Sequence, residues 1–237
     1  PFTVGGTFGH LLDGDRDELN MGRWQAFEMG SLLKQPTVAA PVMTYLFHRI
    51  EQALDGSPTL LIIDEGWRFL DDTTFAAKIE DWLFTLRKKK VSVIFTTQTI
   101  NSVSKSAVAP VIWDNCLTRI YLPNAAANDP QTKPYYTDQG LNDRQIDLIA
   151  TARRKRQYYY ASADGNRLFE LGLGELGLAL VGSSSTEDHV LADRVLASFG
   201  EDLFLPAFLR AKGIDWAADM VDPQGITRAA AFAIAAE

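Results

Sequence analysis

"TLLIIDEGW", residues 59–67, decides how the chain is read. The run is short, continuously apolar up to Asp64 and Glu65, and follows the turn residues "DGSP" (55–58). That is the pattern of a strand covered on both faces. A second β-rich run, "VSVIFTT" (91–97), and a third, "TRIYL" (118–122), come after it. Between the first two, "DDTTFAAKIEDWLFTLRKKK" (71–90) sets Phe75, Ile79, Trp82, Leu83 and Leu86 at helical spacing, behind a cap expected at Asp72 or Thr73. Strands alternating with long helices predict an α/β fold, a mostly parallel sheet with helices on both faces. Ligands of such sheets gather beyond the carboxyl ends of the strands. The first run leaves Asp64 and Glu65 there, and the second leaves Thr97 and Gln98.

Working outward, residues 1–14 are Gly-rich and read as loop, and "DELNMGRWQAFEMGSLL" (17–33) is expected to form an amphipathic helix with Leu19, Trp24 and Phe27 on one side. "PTVAAPVMTYLFHRIEQAL" (36–54) predicts a buried helix opening at Pro36, whose missing N–H is not needed there. Downstream, "LNDRQIDLIA" (141–150) reads as a capped helix. "RQYYYASADGNRLFELGL" (156–173) reads as a hairpin turning at Asp164-Gly165. "SSTEDHVLADRVLASFG" (184–200) predicts a helix with a capping box from Ser184 to Glu187 and a stop at Gly200. The last 25 or so residues are Ala-rich and weakly patterned, as loose termini often are. Residues 1–180 are expected to form the main domain and 181–237 a helical extension.

The 237 residues are 46% hydrophobic and 22% charged, an ordinary globular composition. A net charge of −7 makes the surface as a whole no trap for nucleic acid, so any DNA contact would be local. Cys116 is the only cysteine, which excludes an intrachain disulfide, fits a reducing compartment and reads as a small buried apolar residue. There is neither a run of about 18 apolar residues nor a signal-peptide pattern, so insertion in a bilayer is not expected. The chain opens on "PFTVGGTFGH" with no initiator Met and reads as the middle of a longer protein.

Two carboxylates at a strand's frayed end can both reach a ligand. In a nucleotide site the first, Asp64, holds Mg²⁺ and the second, Glu65, orients or deprotonates the attacking water. The bland account is an acidic helix start, which the helix dipole favours. Gln98, with Thr97 beside it, closes the neighbouring strand. Its amide can donate to a γ-phosphate oxygen and accept from water, so it can report hydrolysis, or it can simply be a polar strand end. Arg87 sits at a helix C-terminus, where cations belong anyway. "RRKRQYYY" (153–160) offers four cations beside three tyrosines for phosphates and bases, but also suits an exposed loop entering a strand. His10, His48 and His189 share no ligand-like spacing, so no metal besides Mg²⁺ is expected.

"TLLIIDEGWRFLDD", "FAAKIEDWLFTLRKKKVSVIFTTQ", "TRIYLPN", "LNDRQIDLIA" and "NRLFELGLG" together resemble the C-terminal region of the conjugal-transfer ATPases of type IV secretion systems, of the TrbE type. "GTFGHLLDG" and "YLFHRIE" resemble the same family, and the likeness runs from residue 1 to about 210. One departure is Gly66, where the family usually has Ala; it is expected to loosen the turn after Glu65. The resemblance implies an incomplete RecA-like P-loop NTPase core of the HerA/FtsK kind. The chain contains no G-x-x-x-x-G-K-[ST]; its nearest approach is "SKS" at 104–106. In the family that phosphate loop lies far upstream, so the chain is expected to lack it and to bind ATP and Mg²⁺ weakly or not at all by itself. Arg87, eleven residues before Gln98, corresponds to an arginine that reaches into the neighbouring subunit's site.

The resemblance further implies a hexameric ring of copies and other secretion subunits as partners. It places the protein on the cytoplasmic side, peripheral to the bacterial inner membrane. The leading expectation is an ATP-hydrolysing motor of the conjugation apparatus. A DNA-translocating coupling motor and a non-catalytic interaction module are the alternatives.

Overall fold

The computed structural model describes all residues except 1, 4, 10–12, 15, 18, 67–69, 71–72 and 229–237. Contacts divide the chain into two compact units, Pro1–Phe169 and Glu170–Glu237.

In the first unit α1 (Pro36–Ala53) opens with proline in its first turn, as expected. It is half-buried rather than buried: Val38 and Met43 are enclosed, while much of its apolar surface is only partly covered. β1 (Thr59–Ile63) and β2 (Val91–Phe95) pair in parallel, from Thr59 opposite Val91 to Ile63 opposite Phe95. α2 (Thr73–Thr85) joins them through a 3-10 turn, Leu86–Lys89. Asp72, one of the two expected caps, lies outside the described residues, and Thr73 is already helical.

The helical stripe read from sequence is the core. Phe75, Ile79, Trp82 and Leu86 are buried, and they meet Leu61, Ile63, Val93 and Phe95 of the strands. Each such side chain contributes about 1.5–3 kcal/mol on full burial. Trp82 stands edge-on to Phe47 with ring centres 4.6 Å apart, and its indole N–H donates to Glu51 at 2.5 Å, so its polar handle is satisfied. α3 (Ile100–Ser104) and α4 (Ala109–Asn115) add Val103 and Ile112 to the same cluster. Cys116 packs half-buried against it, and burial pushes its thiol up.

β3 (Arg119–Tyr121) does not join β1 and β2 as a third parallel strand. It runs antiparallel to β4 (Gln157–Ser162), beside β5 (Gly165–Glu170), in a separate sheet of three. The α/β class holds, but a single mostly parallel sheet is not what the described residues form. A tight hairpin offers β3 a partner that is already folded. Tyr121 completes the pairing by packing near Tyr136 and Tyr159, with ring centres 5.8 and 6.4 Å away. α5 (Lys133–Thr137) and α6 (Asp143–Thr151) close this second core over Ile146 and Ile149. The α6 cap is reciprocal: Asn142 accepts the Gln145 N–H, and the Gln145 side chain accepts that of Asn142. The hairpin turn falls on Ala163-Asp164, one residue before the expected position.

Two further expectations are corrected. β1 is covered on one face only: Leu60 and Ile62 are 56% and 53% exposed, and Ile94 of β2 is 46% exposed. An unbroken apolar run cannot distinguish one covered face from two. Residues 17–33 form no amphipathic helix; the described portion is loop until the 3-10 turn Leu32–Lys34, and Trp24 is 86% exposed. Here Asp17, Gln25 and Glu28 accept the backbone N–H groups of Leu19, Gly22 and Gly30, which takes backbone donors out of a helical ladder.

The second unit consists of α7 (Gly174–Val181), α8 (Thr186–Ala211) and α9 (Asp215–Val221). α8 breaks where expected, at Gly200 (φ 70°), then resumes. Its capping box uses Ser185 and Asp188 instead of Ser184 and Glu187; Ser185 has the extended backbone a cap needs, and Asp188 also pairs with Lys212.

The buried Arg210 guanidinium organises the end of this unit. Its Nε–H donates to Thr227 at 2.9 Å, and its terminal nitrogens lie 2.7 Å from Asp219 and 3.5 Å from both Asp215 and Asp222. The Thr227 backbone N–H first, with the Thr227 hydroxyl, the Ile226 N–H and Arg210, brings the Asp222 carboxyl down to about 2.

Candidate functional site

Parallel pairing brings the ends of β1 and β2 out together, and the register fixes which residues meet there. Ile63 faces Phe95, so Asp64 comes opposite Thr96. The Thr96 N–H donates to the Ile63 carbonyl at 3.0 Å, extending the ladder by one bond. The Thr96 hydroxyl donates to Asp64 Oδ1. The Glu65 N–H is shared between Asp64 Oδ1 and Thr96 Oγ1, each 3.1 Å away. Glu65 has φ 50°, in the left-handed region that a side-chain-bearing residue seldom adopts. That turn swings its carboxylate towards the second strand, where it accepts a hydrogen bond from Gln98 Nε2.

Asp64, Glu65 and Gln98 are therefore brought together in one hydrogen-bonded cluster. Asp64 and Gln98 are exposed and Glu65 is partly so, and all three remain accessible to a ligand. Thr97 lies in the same segment, but its hydroxyl donates to the Thr99 carbonyl at 2.9 Å, within the turn into α3. Thr99 caps α3 by accepting the Ser102 N–H. The hydroxyl that touches the carboxylates belongs instead to Thr96, which nothing in the motif pattern singles out. The register of two parallel strands was the signal for it: the residue after the last pair on one strand faces the residue after the last pair on the other.

Gly66 is buried beneath this cluster, and its role is space rather than freedom. A Cβ there would lie 2.4 Å from Phe95 Cε2 and 2.8 Å from Ile63 Cγ2. Its φ is not in the left-handed region, so the turn is closely packed and not loosened.

Arg87 is not in the cluster. It lies in the exposed turn before β2, beside Lys90, whose carbonyl accepts the Thr59 N–H at 3.1 Å where both strands begin. The five residues of β2, about 16 Å of strand, separate that end from Thr96 and Gln98. Within one chain Arg87 stands where a helix-end cation stands, with Lys88 and Lys89 in the same last turn.

Elsewhere, Arg153–Arg156 are exposed before β4. Tyr159 turns into the core, while Tyr158 packs on Phe169 and Tyr160 lies under Arg167. Among the described residues no group of three or more His, Cys, Asp or Glu could hold a metal ion. Among them, too, no helix is long and apolar enough to cross a membrane.

No protein-family model matches the chain. Individual proteins do. A probable conjugal transfer protein TrbE of Sinorhizobium fredii (strain NGR234) is 43% identical over 188 residues, 79% of this chain and 28% of that protein. The conjugal transfer protein TrbE of Rhizobium radiobacter is 44% identical over 188 residues, 79% of this chain and 23% of that protein. The type IV secretion system protein virB4 of Bartonella henselae is 31% identical over 210 residues, 86% of this chain and 26% of that protein. The chain thus spans about a quarter of the length of these relatives. Identity at this level across most of the chain means common descent: the chain is a homologue of the TrbE conjugal-transfer proteins and, more distantly, of the VirB4 proteins of type IV secretion.

Proposed function

We propose that the chain is the metal-and-sensor portion of an ATP-hydrolysing motor that energises conjugal transfer or type IV secretion. The observation that carries this reading is the convergence of Asp64, Glu65 and Gln98 at the carboxyl ends of two parallel strands. The names of the relatives, conjugal transfer and type IV secretion proteins, support the biological setting.

Asp64 offers hard oxygen donors, and among the described residues no cluster of three ligands accompanies it. That suits magnesium, which is held by one or two carboxylates together with substrate phosphates. When bound, Mg·ATP would supply an electrophilic phosphorus whose oxygens the metal neutralises. Asp64 holds the ion, and Thr97 and Gln98 border the nucleotide. Glu65 accepts the proton of the attacking water, as a carboxylate base does. Gln98 now donates to Glu65, so a γ-phosphate that draws the amide away frees Glu65 for water. In this way sensing and base activation share one hydrogen bond.

The phosphate loop belongs to the remainder of the longer protein. The half-exposed apolar face of Leu60, Ile62 and Ile94 fits a sheet that more polypeptide covers. Arg87, far from its own chain's carboxylates, acts on the site of a neighbouring copy in a ring, a hexamer by the family likeness. Such a ring would sit peripherally at the cytoplasmic face of the inner membrane, against other secretion subunits.

The test is ATP turnover by the full-length protein carrying Glu65→Gln. Loss of a general base lowers turnover by about 10²–10⁴. Unchanged turnover would remove Glu65 from the mechanism.

A further inference from the structure

We infer that Thr96 is a positioning residue, whose hydroxyl sets the Asp64 carboxylate and the Glu65 backbone as one unit. Its magnesium arm rests on the nucleotide reading above; its structural arm does not. Three bonds converge on this residue. Its own N–H is fixed to the Ile63 carbonyl at 3.0 Å, so the side chain starts from a backbone held by the ladder. Its hydroxyl proton goes to Asp64 Oδ1, a charge-assisted bond that restricts the carboxylate to one orientation. Its hydroxyl oxygen in turn accepts the Glu65 N–H at 3.1 Å, beside Asp64 Oδ1 at the same distance.

The third bond matters because of where Glu65 sits. A left-handed φ at a residue with a side chain persists only if its surroundings hold it. Here the holding atoms are Asp64 Oδ1 and Thr96 Oγ1. Without the hydroxyl, Asp64 regains its rotamers and the Glu65 N–H loses one of its two acceptors. Glu65 can then relax away from Gln98. A β-branched hydroxyl suits the task, since its χ1 is stiff and its methyl fills strand surface while the oxygen bonds. Both carboxylates would thus be oriented before any ligand arrives, which is how a site avoids reorganising during reaction.

The experiment compares Thr96→Val, which keeps the shape, Thr96→Ala, which removes side-chain bulk, and Thr96→Ser, which keeps the hydroxyl, in the full-length protein. Amide hydrogen exchange at Glu65 is the first readout. It should quicken about ten- to a hundredfold in Val and Ala, as expected for losing a bond to a charged group, and return towards wild type in Ser. The second readout is the magnesium concentration that half-saturates ATP turnover. It should rise about ten- to a hundredfold in Val and Ala and recover in Ser, with the melting midpoint of Val unchanged. Equal exchange at Glu65 in all four proteins would overturn the inference, as would a loss that Ser does not restore. If wild type shows no ATP turnover, the nucleotide reading fails, while the exchange result still decides for or against Thr96 as the residue that holds the turn.

Discussion

Two clusters of carboxylates and their donors, one in each unit, are built from similar parts to opposite ends. At the ends of β1 and β2, Asp64, Glu65, Thr96 and Gln98 bond to one another where water and ligands can reach them. Around Arg210 the central charge is sealed, with 1% of its side chain exposed, and Asp222 with its backbone donors is buried beside it. Hydrogen bonds among exposed polar groups add little net stability, since water competes for each of them. A buried guanidinium is different, because losing its partners strands a charge away from water. The first arrangement spends its geometry on orientation and the second on holding helices together.

Three variants would sharpen or break this contrast. The largest expected effect is that of Arg210→Ala, which leaves Asp219 and Asp222 without their shared cation. It should cost the second unit about 3 kcal/mol, read as faster amide exchange across residues 186–228 with the first unit unaffected. A change confined to a few tenths would mean that the cluster is decorative.

Next comes acid. Asp222 is lowered to about 2 and Asp219 is lowered too, by Arg228 first and Arg210 after it. A carboxyl depressed in the folded state stabilises it above the unfolded value, near 3.9, and that stabilisation disappears as pH falls through the folded value. The second unit should therefore loosen between about pH 4 and pH 2, followed by circular dichroism, and Asp222→Asn should flatten that slope. An unaltered slope would place the acid sensitivity elsewhere.

The smallest effect belongs to the open sheet face. Ile62→Thr in this chain should change stability by less than about 0.5 kcal/mol, because Ile62 is half exposed. In the longer protein the same change should cost clearly more. Equal costs, measured by denaturant unfolding, would mean that nothing covers that face.

What sequence could convey follows from which forces act locally. The α2 stripe of Phe75, Ile79, Trp82 and Leu86 was legible because burial imposes a helical period, and the Asn142–Gln145 cap because it closes within four residues. The strands were legible as strands, but their partners were not. Pairing β3 with β4 spans some 40 residues, and no pattern inside "TRIYL" selects a parallel or antiparallel neighbour. The helix expected over 17–33 failed because apolar spacing there is outweighed by side chains that bond their own backbone.

The candidate site divides in the same way. Asp64, Glu65 and Gln98 could be picked out as polar residues closing apolar runs, but Thr96 needed the register, and Gly66 needed the Phe95 ring in place. Arg210 was overlooked although Asp215, Asp219 and Asp222 recur at helical spacing on the far side of a turn from it.

The most direct test of the central claim separates binding from hydrolysis at Glu65. Mg·ATP is titrated calorimetrically into the full-length wild type and into Glu65→Gln, with turnover followed on the same samples. The account predicts similar binding by both proteins and turnover lost only in the variant. Wild-type turnover in Glu65→Gln would contradict it, and the paired carboxylates at the strand ends would then need another purpose.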